Sequence, residues 1–251
     1  MKKSLLGVTV SVIGFCAAAP ANAMHISDGV LSVKMSAVWF ALIIPFLILG
    51  VRSIKRRREE TSLFMPLLAM VGAAVFILSV FHIPVPVAGS CSHPTGGALT
   101  AITVGVWPAV VINFIALLFQ ALFLAHGGLL SLGANTFSMG IMGVLCGYAV
   151  FRLAQKARCP LFIAAGLGVL IANLITYFTA GFQLAIDLHG SKSIPNVYGL
   201  YMLGYLPTQI PLSILDFILA GFMAKYIAQK RPDLAQQIQL ARGSTTPPDS
   251  P

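Results

Sequence analysis

Charge is what this sequence has least of. Of its 251 residues, 16 are Lys or Arg and 7 are Asp or Glu, 9% in all, while 57% are hydrophobic; an ordinary soluble domain carries about 25% charged residues. So few charged side chains cannot coat a globule of 26.6 kDa, which excludes a soluble monomer. The apolar residues fall instead in runs long enough to cross a bilayer as helix. Other absences narrow the chemistry. There is no G-x-x-x-x-G-K-[ST] phosphate loop, so the chain does not hydrolyse ATP by that route, and no H-E-x-x-H, which argues against a membrane zinc protease. C-x-x-C is also missing, and Cys91, Cys146 and Cys159 are too scattered for a redox site; Cys146 and Cys159 read as packing residues. Acidic residues are scarcest of all, leaving a formal charge of +9. The basic residues sit in short clusters between apolar runs, where positive-inside topology puts them, so the surplus is read as orientation and no nucleic acid partner is expected.

What is present begins with a leader. Residues 1–23 have a basic start at Lys2 and Lys3, an apolar stretch from Leu5 to Cys16 and a small-residue tail ending at Ala23, the pattern of a secretory signal peptide. Cleavage there would leave a chain starting Met24-His25-Ile26-Ser27-Asp28-Gly29. Its free amine, with an ordinary pKa of about 7.7–8.0, can give up its proton to a metal at neutral pH, and His25 adds a ring nitrogen one residue away.

The remainder reads as an all-α integral membrane domain, residues 24–230, followed by a polar tail, 231–251, rich in Pro, Ser and Thr and expected to be disordered. A first span, about 35–51, ends in the densest basic cluster, Arg52 to Arg58, which marks a cytoplasmic end. A second, about 63–81, returns outward to a loop or re-entrant segment broken by Pro84, Pro86 and Gly89 and carrying His93. Arg152, Lys156 and Arg158 mark another cytoplasmic turn, so parity requires the stretch 95–136 to cross an even number of times, as two short or broken spans hinged near Pro108. With further spans at about 137–151, 161–180 and 201–226 the total is about seven, the mature N-terminus outside and the C-terminus inside. Gly143 and Gly147, four apart, suit close helix packing within one subunit.

Few residues could carry chemistry. The Met24 amine, the backbone and ring nitrogens of His25 and a fourth nitrogen from His93, in GSCSHPTG on the same membrane face, form an all-nitrogen set. Such a set favours Ni(II) or Cu(II) over Zn(II) and accepts Co(II). Cys91 is considered as a soft ligand, with a small loop residue the preferred reading; His82 reads as an interfacial histidine and His189 as a solvated one. His126 is equally a hydrogen-bond donor behind the ligands or a helix-end residue. Asn113, Gln120, Asn173, Gln183 and Asp216 fall in or beside apolar runs, where they read as glue between helices. Asn135 is set apart from that group.

Four stretches, MHISDG, GSCSHPTG, FQALFLAHGGLLSLGANTFSMGIMG and TQIPLSILDF, occur in an order that resembles the CbiM/NikM family from Met24 to about Lys230. Its members are the substrate-capture membrane components of energy-coupling-factor ABC transporters for cobalt and nickel. The resemblance implies Met24, His25 and His93 as metal ligands and Asn135 as support for the N-terminal segment. It implies a transported Co(2+) cargo with no resident cofactor and no catalytic residues, and a place in the bacterial cytoplasmic membrane, among lipid. The implied partners are a coupling membrane subunit, ABC ATPase subunits and, optionally, a small accessory membrane subunit. The wording SCSHPTG leans to cobalt, for cobalamin synthesis; nickel is the runner-up. A membrane metalloenzyme is the weaker alternative, since it would need a base and no acid lies near His93. Two departures stand out: Asp216-Phe217 replaces the family's Glu-Gly, and a leader precedes MHI.

Overall fold

In a computed structural model the described residues are 25–80, 83–85, 90–92 and 96–230. The expected leader, Met24, His82, His93 and the expected tail lie outside them.

The first helix, α1 (Val33–Glu60), starts where the Ser32 hydroxyl accepts a hydrogen bond from the Met35 amide at 3.3 Å and ends in a basic turn, Arg57 and Arg58. Both ends suit the helix dipole. At 28 residues, roughly 42 Å, it outreaches a hydrocarbon core of about 30 Å, so its basic turns project beyond it. Helix α2 (Phe64–Val80) follows, then a ribbon of two three-residue strands, β1 (Ile83–Val85) and β2 (Ser90–Ser92), paired antiparallel with Pro84 opposite Cys91. The sequence suggested only a broken loop there. Proline fits because each strand of a two-stranded ribbon keeps a free edge.

Helix α3 (Gly96–Val104) has nine residues, all but Leu99 buried, and at about 13 Å reaches only half-way across a hydrocarbon core. Helix α4 (Val106–Phe123) begins at Gly105, whose φ of 89° interrupts the rod. The hinge therefore lies three residues before Pro108, which occupies the first turn of α4, where its missing N–H costs no hydrogen bond. Helix α5 (Leu132–Lys156) runs π-helical over Thr136–Gly143, a winding that recurs at functional sites. Helices α6 (Leu161–Leu188) and α7 (Ile194–Lys230) complete the bundle.

Five of these, α1 and α4 to α7, are long and apolar enough to span a bilayer, while α2 with 17 residues and α3 with nine are shorter. The expected pair of short or broken spans in 95–136 thus takes the form of a half-length helix and a full one.

Short connections make α5, α6 and α7 antiparallel neighbours. Their contact depends on absent side chains: a Cβ on Gly147 would lie 2.6 Å from the Gly168 carbonyl oxygen, and one on Gly143 would lie 2.7 Å from Thr176 Oγ1. These glycines serve packing within the subunit, as their spacing suggested. The basic ends of α1, α5 and α7 fall at one end of the bundle. Residues 25–32, the α4–α5 connection and the end of α6 fall at the other.

Candidate functional site

That second end is where the sequence-predicted residues gather. Ile26 and Leu31, 4% and 6% exposed, sink into the core beside Trp39, Leu132 and Tyr177, and each such burial contributes about 2 kcal/mol. They anchor the segment 25–32 and draw His25 in with it. Although it stands at the very start of the described chain, His25 is 1% exposed.

Three polar clamps fix the segment. In the first, Asn135 Oδ1 accepts from the Ile26 amide at 2.8 Å and Asn135 Nδ2 donates to the Ile26 carbonyl at 3.0 Å. One amide side chain thereby satisfies both backbone groups of a buried residue, as a neighbouring strand would. Asn135 is held in turn from two sides: its Nδ2 lies 3.4 Å from Ser131 Oγ, and Gln183 of α6 donates to the adjacent Ala134 carbonyl at 3.1 Å.

In the second clamp the Asp28 carboxylate accepts from the amides of Leu129, Leu130 and Ser131 at 2.9, 2.9 and 3.1 Å, and from Ser131 Oγ at 3.4 Å. These amides precede α5, so an anion meets the positive end of the helix. In the third, Asp187 near the end of α6 accepts from the Ser32 amide at 2.5 Å and the Ser32 hydroxyl at 2.8 Å, at the start of α1.

The α4–α5 connection is shaped to fit. Gly127, with a φ of 79°, lies against His25, where a Cβ would come within 3.3 Å of the His25 Cβ. A side chain on Gly128 would collide with the Asp28 carboxylate. His126, which follows α4, meets the His25 ring edge-on with centroids 4.3 Å apart and planes at 67°. Among the described residues no trio of His, Cys, Asp or Glu side chains converges on one point.

The other candidates disperse. Cys91 lies in β2. Asn113 donates within its own helix, to the Ala109 carbonyl at 2.8 Å, and Gln120 is buried in α4. His189 follows α6, half-buried. Asn173 donates to Asp216 at 3.1 Å between α6 and α7, far from the clamps. Cys146 and Cys159 are half-buried and free.

Sequence reasoning gave no role to Asp28, Ser32 or Asp187 and read Gln183 only as glue. The available signal was scarcity: two of the seven acids in the chain bracket this segment.

The profile described as "Cobalt uptake substrate-specific transmembrane region" matches residues 25–234. A cobalt transport protein CbiM of Sorangium cellulosum is 38% identical over 219 residues, covering 87% of this chain and 97% of that one. The CbiM of Geobacter sulfurreducens is 43% identical over 217 residues, covering 86% of this chain and 63% of its own length. A crystal structure of a transition metal transporter shares the fold, with a TM-score of 0.72 at 23% identity over 86% of this chain and 99% of that one. The chain therefore belongs to the CbiM family of cobalt-uptake transmembrane proteins.

Proposed function

We propose that this multi-pass membrane protein captures Co(2+) on the outer face of the bacterial cytoplasmic membrane, as the substrate-binding component of an energy-coupling-factor transporter. In this reading the leader is removed after Ala23 and the new Met24 amine, the His25 backbone and ring nitrogens and the His93 ring hold the ion. The observation that carries it is the burial of His25 at the inner end of a segment clamped to α5 and α6. A histidine with no task beside a chain terminus would be solvated, whereas this one is buried against His126, in a segment that Asn135 holds through the Ile26 backbone. The segment then serves as both ligand donor and plug.

Binding needs a deprotonated amine and a neutral imidazole, so capture weakens as pH falls and both groups take up protons. No phosphate loop lies in the chain, so ATP hydrolysis and the force for release belong to partner ATPases acting through a coupling membrane subunit. The cargo is delivered inward, for cobalamin synthesis.

N-terminal sequencing of the purified protein, with Co(2+) titration of the wild type, His25→Ala and His93→Ala, tests the reading. The expected result is a chain beginning at Met24 and loss of high-affinity binding in both variants. An intact Met1, or unchanged binding in both, refutes the site. One residue added before Met24 in the mature form should be as damaging as either substitution, because it displaces the amine from the chelate.

A further inference from the structure

On the side of the bundle away from the α5–α6–α7 core, α2 and α4 diverge and leave a groove of about 620 Å³ that opens laterally. Its walls are apolar throughout, with Leu68, Ile112 and Ala116 buried beneath it, the small residues Ala69, Gly72 and Ala73 on the α2 side, and the exposed Ile115 and Phe119 on the α4 side. From Val111 to Phe123 the α4 wall is about 18 Å long. Phe123 ends α4 at the opposite end of the bundle from Ile54, so the groove runs past mid-depth, and an acyl chain entering at the basic end fits within its length.

The groove is closed at one end by Ile54 of α1, and that end is strongly charged. Between Arg52 and Glu60 stand five cations against two carboxylates. Arg57 is committed, since it donates to the Val104 carbonyl and lies over the Phe64 ring at 5.4 Å, tying the ends of α1 and α3 to the start of α2. Arg56 pairs with Glu60 at 3.5 Å. Arg52, Lys55 and Arg58 are exposed, and helical periodicity sets Arg58 one turn beyond Ile54 on the same face, with Lys55 beside it. The Arg57 contacts thus fix a junction that holds cationic side chains at the mouth of a long apolar slot.

From this pairing we infer a binding site for an anionic phospholipid of the leaflet at the basic end of the bundle, one acyl chain in the α2–α4 groove and the phosphate between Lys55 and Arg58. Positive-inside topology requires basic residues at this end, but it does not require a groove beneath them. Clusters of this kind recognise anionic headgroups, and each cation near a membrane surface adds severalfold to the attraction.

The test is native mass spectrometry of the full chain extracted in detergent and offered equal amounts of phosphatidylglycerol and phosphatidylcholine with identical acyl chains. Phosphatidylglycerol should be retained about tenfold over phosphatidylcholine, as two surface cations allow. The double substitution Lys55→Gln/Arg58→Gln should abolish that preference while total retained lipid changes little. Ala73→Phe, which fills the groove from its α2 side, should lower retention of both lipids. Equal retention by the wild type, which needs no variant to fold, overturns the proposal. So does a preference that survives the double substitution, or a chain that retains neither lipid and keeps a membrane subunit in its place.

Discussion

Two polar clusters sit in this bundle, and they are built on opposite principles. At the end that carries residues 25–32, side chains bind backbone: Asn135 takes both groups of Ile26, Asp28 takes three amides before α5, and Asp187 takes the amide of Ser32. At mid-depth, about 18 Å into α6, side chain meets side chain: Asn173 donates to Asp216 at 3.1 Å, while Asn173 Oδ1 and Ser213 Oγ find no hydrogen-bond partner among the described residues. The first cluster fixes a segment with no helix of its own, whose backbone groups need partners from outside. The second joins two helices whose backbones are already satisfied, so its side chains add specificity to a contact that packing already makes. Substitutions in the clamps should therefore disable capture, and substitutions at mid-depth should be tolerated.

Asn135→Ala should show the largest effect. It leaves the buried amide and carbonyl of Ile26 without their partner, a cost of about 2–4 kcal/mol for the pair. The segment should detach, and Co(2+) affinity should fall by roughly a hundredfold in a titration, with faster proteolysis before α1. An affinity within threefold of wild type would mean that the apolar anchors Ile26 and Leu31 suffice and that the contrast between the clusters fails.

Asp28→Ala comes next. Asp28 is exposed, so water can replace the carboxylate at the amides of Leu129 and Leu130, and the loss should resemble that of a helix cap, about 1–2 kcal/mol, or roughly tenfold in affinity. Asp28→Asn should recover part of it, because the amide oxygen still accepts. Equal damage from both substitutions would locate the contribution in the charge alone.

The clamps show what one sequence can disclose. Membrane class and helix order follow from hydropathy and the positions of Arg52–Arg58 and Arg152–Arg158, because those signals are local. The break at Gly105 was displaced to Pro108, because a proline signals a hinge wherever it falls, and only coordinates place it harmlessly in a first turn. The clamps were illegible for a different reason. Asp28 to Leu130 spans 102 positions and Ser32 to Asp187 spans 155, and no periodicity relates residues so far apart. Asn135 could be set apart from the other intramembrane polar residues, but its role was implied only through resemblance to a family. Its partner, the backbone of Ile26, carries no side-chain signal at all.

Asp187→Asn should be milder again. The amide oxygen can still accept from Ser32, and what is lost is one acceptor and a negative charge near the start of α1, about 0.5–1 kcal/mol. Because this clamp lies at the hinge where the segment meets α1, the expected change is in rate: Co(2+) exchange two- to fivefold faster, with equilibrium affinity lowered no further than that. An unchanged exchange rate would make the Ser32 contact a helix cap and nothing more.

Asp216→Asn should have the smallest effect, neutral or slightly stabilising. The substituted amide keeps an oxygen to accept from Asn173 Nδ2. It also removes an ionisable side chain from the interior of a membrane domain, where charge is costly. Interhelical hydrogen bonds in bilayers average about 0.6 kcal/mol, so stability against denaturant should hold or rise by about that amount, with Co(2+) affinity within twofold of wild type. A larger loss of binding would overturn the division between the clusters, since it would mean that a carboxylate far from His25 shares in capture. Asp216→Glu is the natural companion. If the acid is only glue, the longer side chain should cost packing between α6 and α7 and leave the metal site untouched.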